Sequence, residues 1–237
     1  MFELVRAKDA VEEMDRPDCD PVLLRRTYAQ FPLVNRAVAG WGRLYAELIV
    51  DQLPAHRPAT LLDIGCGGGD ITIMLAKRAW AEGINLKVLG IDPDERAFHY
   101  AHGAGQKSGL PASRLEFRQC DSSQLVAQEA QFDVVISNHL LHHLDEQQFS
   151  GLLADSQRLA TGRAMHADIR RSRLAAVLFG AATLPLAGSS FIRRDGLLSI
   201  RRSSTPVELA RRVPARWRVE ERRPFRNLLL WEPAHAL

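Results

Sequence analysis

The sequence predicts an α/β fold, a mostly parallel sheet with helices on both faces. Three observations carry that prediction. Short apolar runs alternate with segments of helical spacing from Thr60 onward, a glycine-rich turn joins the first run to the first such segment, and acidic residues stand at the ends of successive runs. The 237 residues are 46% hydrophobic and 25% charged, enough for one domain with a full core.

The elements follow in order. Between Pro21 and Leu53 apolar residues recur at helical spacing (Leu23, Leu24, Tyr28, Phe31, then Val38, Trp41, Leu44, Tyr45, Leu48), predicting two helices ahead of the sheet. Thr60 to Ile64 is a strand closed by glycines, and Asp70 to Ala81 a helix. Leu86 to Ile91 is a strand followed by a helix over Pro93 to Gly103, and Leu115 to Cys120 is a third strand. Phe132 to Ser137, the helix Asp145 to Leu159 and a fifth strand, Met165 to Ile169, continue the alternation. Beyond it the pattern predicts a helix over Arg173 to Leu186, a loop holding Gly188-Ser-Ser190 and Asp195-Gly196, and a short helix over Pro206 to Val213. Two closing strands, Trp217 to Glu221 and Arg226 to Glu232, bring the total to seven. The chain divides on this reading into an N-terminal helical cover (1–55), a ligand-binding core (56–171), a helical insertion (172–205) and a C-terminal helix with strands (206–237), all within a single domain.

Bulk properties narrow the partners. The start of the chain has neither the apolar run of a secretory signal nor an Arg-rich amphipathic pattern, so a cytoplasmic location is expected. The longest apolar stretch, 174–187, contains Pro185 and falls short of the roughly 20 residues a membrane span needs. Cys19, Cys66 and Cys120 suit neither a disulfide framework nor a Cys-x-x-Cys metal site. The net charge of +3 conceals an asymmetry, because residues 163–226 carry fifteen arginines against five acids while the remainder is acidic. Such a basic stretch is either the phosphate-contacting face of an RNA-modifying enzyme or a set of solvated helix faces. Interspersed apolar residues such as Phe191-Ile192 and Leu197-Leu198 favour the second.

The segment LLDIGCGGGD, residues 61–70, places Gly65, Gly67 and Gly69 between strand and helix, where the absence of a Cβ lets backbone approach a ligand. A dinucleotide site wants glycine at position 70, so that a pyrophosphate can sit on the helix N-terminus, but Asp70 stands there. A carboxylate repels a pyrophosphate and suits a cationic cofactor. Asp92, closing the second strand in GIDPDE, either accepts from both hydroxyls of a ribose or caps a helix. Asp121, closing the third in CDSS, either accepts from an exocyclic amine with Ser122 beside it or again acts as a cap.

Together LLDIGCGGGD, GIDPDE, CDSS and FDVVISNHLLHHL resemble the class I S-adenosylmethionine-dependent methyltransferases over Thr60 to about Arg171. The resemblance implies a Rossmann-like, seven-stranded fold and S-adenosylmethionine as cofactor, with S-adenosylhomocysteine as product. It implies further that Asp63, Gly65, Cys66, Gly67 and Gly69 lie against the methionine and ribose part. Asp92 would hold the ribose hydroxyls, with Pro93 near the adenine, while Asp121 and Ser122 contact the adenine and Ser137, Asn138 and His139 pass the sulfonium. Within that class the Leu-His-His stretch and the acid after the fifth strand are similar to bacterial natural-product and quinone-type O-methyltransferases of secondary metabolism. The stretch Glu12-Glu13-Met14-Asp15 and the segment SSFIRRDGLLSIRRS resemble methyltransferases found beside type III polyketide synthases, which implies a phenolic acceptor. Ala160-Thr-Gly162 stands where the family has a Gly-Gly turn.

Methyl transfer to a hydroxyl gains from a base that titrates near neutrality, and His139, His142 and His143 follow the fourth strand. The expected base is His142, with His143 as its alternative or orienter; Asp168 orients the imidazole, binds the acceptor hydroxyl or pairs with Arg170 or Arg171. Tyr28, Phe31, Trp41 and Arg170 are acceptor-pocket candidates, with core packing the competing role for the aromatics. Three histidines within five residues, without a carboxylate pair in their own segment, make a poor octahedral site, so no metal is expected. The expected activity is thus methyl transfer to a small molecule by a monomer or homodimer. A nucleic-acid acceptor, or a cofactor-binding protein that transfers nothing, is the alternative.

Overall fold

The structure is a computed structural model that describes residues 4–234. A seven-stranded sheet organises the chain: β1 (Ala59–Ile64), β2 (Leu86–Ile91), β3 (Leu115–Arg118), β4 (Phe132–Asn138), β5 (Ala160–Ile169), β6 (Arg218–Arg222) and β7 (Arg226–Trp231), in the spatial order β3-β2-β1-β4-β5-β7-β6. The first five strands run parallel. β7 enters antiparallel beside β5, pairing Ala167 with Leu228, and β6 is antiparallel to β7. The order turns back between β1 and β4, and at such a switch point the carboxyl ends of neighbouring strands leave a crevice.

Strand residues alternate between two cores because successive side chains leave opposite faces of a strand. Leu61, Val134, Ile136 and Met165 pack on one face under Trp41, Tyr45, Leu75 and Ala101. Leu62, Ile91, Val135 and Leu229 pack on the other under Phe149, Leu153, Leu209 and Trp217. The first face is covered by α2 (Trp41–Leu44, extended by helical turns to Gln52), α3 (Asp70–Ala81) and α4 (Glu95–Gln106). The second is covered by α5 (Ser122–Ala127), α6 (Glu146–Leu159) and α9 (Pro206–Ala210). A smaller cluster of Leu24, Tyr28, Ala97 and Phe191 joins α1 (Pro21–Val38) to the insertion, which holds α7 (Arg173–Ala182) and α8 (Ile192–Arg202).

Two departures from the sequence reading have physical causes. β5 starts at Ala160, because Ala160-Thr-Gly162 is strand rather than turn. A Cβ at Gly162 would stand 2.7 Å from the Asp133 carbonyl, so glycine serves close strand packing beside an irregular step in the β4–β5 register. Asp195-Gly196, read as a loop, lies inside α8. Gly196 carries no Cβ because the ring of Phe179 on α7 occupies that space, while the Asp195 carboxylate accepts from the backbone N–H groups of Glu13 and Met14, both at 3.0 Å. The short helix α5 was also unforeseen, although Asp121 caps it.

Candidate functional site

A cavity of about 910 Å³ opens at the carboxyl ends of β1, β2, β4 and β5, roofed by α1, the insertion and an N-terminal strap over residues 4–20. Its floor is the glycine turn. Gly65, Gly67 and Gly69 have φ of 65°, 54° and 76°, a left-handed conformation that suits glycine. Asp92 fastens the turn, its carboxylate accepting from the N–H groups of Gly67 and Asp94 at 2.9 Å each. Gly67 faces open cavity. Gly69 does not: a Cβ there would lie 2.8 Å from Phe117, so this glycine permits the sharp entry into α3, and Gly68 lines the cavity in its place against Tyr28.

Three carboxylates surround this floor. Asp63 is buried and accepts from the Thr72 hydroxyl at 2.6 Å, leaving its second oxygen without a partner. Burial pushes Asp63 up to about 7, with Asp70 and Asp92 adding to the rise and Thr72 opposing it. Asp70 is raised by burial although Asn35 donates to it at 2.9 Å, and Asp92 is raised by burial despite its two backbone donors. A cationic ligand relieves all three at once, since an opposite charge within a few ångströms favours the ionised form.

The opposite end holds the histidines. After β4 the chain turns at His139, which has φ 54° and which burial pulls down to about 4; its N–H donates to the Ala167 carbonyl at 2.8 Å. His142 Nδ1 meets the Asp168 carboxylate at 2.7 Å, while Nε2 faces Glu12 at 3.5 Å. Burial lowers His142, but Asp168 and Glu12 outweigh it and carry the group up to about 9. His143 Nδ1 meets Asp15 at 3.0 Å, and its Nε2 lies 3.9 Å from Glu12. Glu12 also accepts from Ser199 at 2.9 Å and from Arg202 at 3.3 Å.

Of the residues expected at the site, Asp63, Gly65, Cys66, Gly67, Asp92, Pro93, Asn138, His139, His142, His143, Tyr28 and Phe31 line this cavity, and Asp168 stands directly behind His142. Others do not reach it. Asp121 caps α5, accepting from the Gln124 N–H at 3.1 Å, and Ser122, the first residue of that helix, donates to Asp155 on α6 at 2.6 Å. Ser137 is buried against His166 at 2.8 Å. Trp41 belongs to the core and donates from Nε1 to Asn138 at 2.9 Å, orienting a lining residue without being one. Arg170 pairs with Glu221, and Arg226 lines the cavity instead.

Sequence reasoning about the site missed Glu12, Asp15, Asp195, Ser199 and Arg202. The signal was present in Glu12-Glu13-Met14-Asp15 and FIRRDGLLSIRR, two segments more than 170 residues apart that the fold brings together.

The chain is similar to several known proteins. Residues 61–161 match the model of a methyltransferase domain family. The chain is 30% identical over 121 residues to 27-O-demethylrifamycin SV methyltransferase of Amycolatopsis mediterranei, a match over 49% of this chain and 42% of that protein. It is 26% identical over 147 residues to ubiquinone biosynthesis O-methyltransferase of Rhizobium etli, over 61% and 52% respectively. The chain spans about a quarter to a half of the length of the curated relatives it matches. Among solved structures it is similar to an O-methyltransferase family protein from Burkholderia thailandensis (TM-score 0.62, 16% identity, 90% of this chain and 60% of that one). It is also similar to the plantazolicin methyltransferase BpumL in complex with S-adenosylhomocysteine (TM-score 0.61, 15% identity, 93% and 92%).

Proposed function

We propose, from the premise that residues 61–161 carry a methyltransferase domain within a class I methyltransferase fold, that the protein moves a methyl group from S-adenosylmethionine to a hydroxyl of a small, largely apolar molecule. One observation carries this reading: a single cavity has an acidic floor at one end and an imidazole–carboxylate cluster at the other. The cofactor's ammonium and sulfonium suit Asp63 and Asp70, and its ribose suits Asp92. Between the ends lie Phe31, Leu178, Phe179 and Ile192, apolar surface fit for an aromatic acceptor.

Alignment of the acceptor oxygen with the methyl carbon supplies most of the rate, on the order of 7 kcal/mol or more in well-ordered systems, and proton removal the rest. Asp168 meets His142 Nδ1, the contact an orienting carboxylate makes, while Nε2 faces Glu12 and not the open cavity. The acceptor proton leaves through the Glu12–His142–His143 cluster, with Asp168 and Asp15 orienting the rings. The chain then works as one domain, residues 56–171 holding the cofactor while the strap and the insertion hold the acceptor.

The arginine-rich third supports this over a nucleic-acid acceptor. Arg163 pairs with Asp51 and Glu232, Arg171 with Glu208, Arg202 with Glu12 and Asp15, and Arg212 with Glu146, which leaves less cationic surface for phosphates. The test is mass spectrometry of purified protein with isotopically labelled cofactor and a panel of phenols and quinols. A labelled O-methyl product is expected. Cofactor binding without any methylated product across phenols, quinols and RNA would leave a binding protein and overturn the reading.

A further inference from the structure

The expectation of a metal-free site rested on the histidines lacking carboxylates in their own segment; the fold supplies them from the strap and from β5. Glu12, His142 and His143 each place a donor atom within 4.8 Å of the other two. The imidazole Nε2 atoms both face the Glu12 carboxylate, at 3.5 and 3.9 Å. Tetrahedral zinc, with bonds near 2.0–2.1 Å, sets its donors about 3.4 Å apart.

The surroundings match as well. A metal-bound imidazole characteristically hands its other nitrogen to a carboxylate, which fixes the ring and leaves the inner nitrogen free to ligate. Here both rings do so, His142 Nδ1 to Asp168 at 2.7 Å and His143 Nδ1 to Asp15 at 3.0 Å. His142 Nε2 is fully buried and has no hydrogen-bond partner, although it points into the cluster. Charge completes the case. Asp15, Asp168 and Glu12 face these rings, Asp195 lies at the edge holding the strap, and Arg202 is the one guanidinium among the described residues that contacts Glu12, at 3.3 Å. Three carboxylates thus face the two rings, with one guanidinium against them.

We propose that Glu12, His142 and His143 bind a divalent transition-metal ion of the zinc class, with its open coordination position toward the acceptor. The ion's catalytic role rests on the methyl-transfer reading; its binding does not. With Glu12, His142 and His143 engaged as ligands the proton does not pass through them: an acceptor hydroxyl bound to the ion is acidified and loses its proton to water. The oxygen then forms the new O–C bond while the S–C bond breaks, sulfur keeping the electron pair and becoming neutral.

The test uses the full chain, freed of any affinity tag and stripped with chelator. Zn²⁺ is titrated calorimetrically, Co²⁺ is added for its visible ligand-field bands, and S-adenosylhomocysteine binding is measured in parallel. One Zn²⁺ per chain is expected, with Co²⁺ bands of a four- or five-coordinate nitrogen–oxygen site. Glu12→Gln and His143→Ala should each weaken Zn²⁺ binding at least about tenfold, and Asp15→Asn by a comparable factor through ring orientation, while S-adenosylhomocysteine affinity holds. Should a variant fail to fold, the parent's stoichiometry and Co²⁺ spectrum decide. Saturable Zn²⁺ uptake without S-adenosylhomocysteine binding would uphold the metal site and break the methyl-transfer reading. A folded chain that binds S-adenosylhomocysteine but takes up no Zn²⁺, or takes it up equally in both ligand variants, overturns the proposal.

Discussion

The two ends of the cavity are built in opposite ways. The floor comes from one continuous stretch, in which β1, the glycine turn, the start of α3 and the end of β2 bring Asp63, Asp70 and Asp92 together within thirty residues. The other end is gathered from the strap, the turn after β4, the end of β5 and α8, so that Glu12 meets Ser199 across 187 positions. Local construction leaves a motif. Distant construction leaves only residues whose partners are invisible until the chain is folded.

This contrast can be broken or sharpened by substitution. The largest effect is expected for His142→Ala, which strands the buried Asp168 and Glu12 carboxylates: unfolding stability should drop by about 3 kcal/mol in denaturant titration, and methyl transfer by at least about a hundredfold. Retention of both would mean that the cluster is neither a structural nor a chemical unit. His143→Ala touches a ring whose side chain is 25% exposed, so it should lower the rate by a comparable factor while stability moves by about 1 kcal/mol or less and cofactor affinity stays within about threefold. A parallel loss of cofactor affinity would erase the distinction between the two ends.

At the floor, Asp92→Ala releases the N–H groups of Gly67 and Asp94 and should weaken S-adenosylhomocysteine binding at least about tenfold, or roughly 1.4 kcal/mol, by calorimetry. The smallest effect lies outside both ends. Against the pull of burial, Arg171 and the Thr205 N–H hold Glu208 down at about 2. A value lower in the folded chain than in the unfolded one means the carboxylate stabilises above its ordinary value near 4.5, and that this contribution is lost as pH falls toward 2. Glu208 is 36% exposed on its side chain, so solvent screening keeps the effect under about 1 kcal/mol. Glu208→Gln should flatten that part of the acid limb in unfolding measurements and leave methyl transfer unchanged.

Legibility in the sequence followed the same division. Most strands were readable as short apolar runs bounded by turn residues, and LLDIGCGGGD marked the floor because its strand, glycine turn and helix start are contiguous in sequence. The histidines were visible as a group, but the chemistry of His142 depends on Glu12, whose segment has no periodicity to mark it. Asp195-Gly196 looked like a turn because that dipeptide favours one locally; only the ring of Phe179 from α7 explains the glycine inside a helix. Asp121 shows how two roles overlap in sequence: a carboxylate at a strand end serves a cap as readily as a ligand, and Asp121 caps α5.

Arg96 links the two halves mechanically. From α4 its guanidinium grips the Asp94 carboxylate, two residues past Asp92, and donates at the same time to the carbonyls of Arg16 at 2.9 Å and Met14 at 3.2 Å in the strap. One side chain thus touches both the edge of the floor and the strap, and any free energy that passes between them passes equally in both directions. A cofactor that firms the strap tightens the acceptor by some factor, and the acceptor must return that same factor to the cofactor.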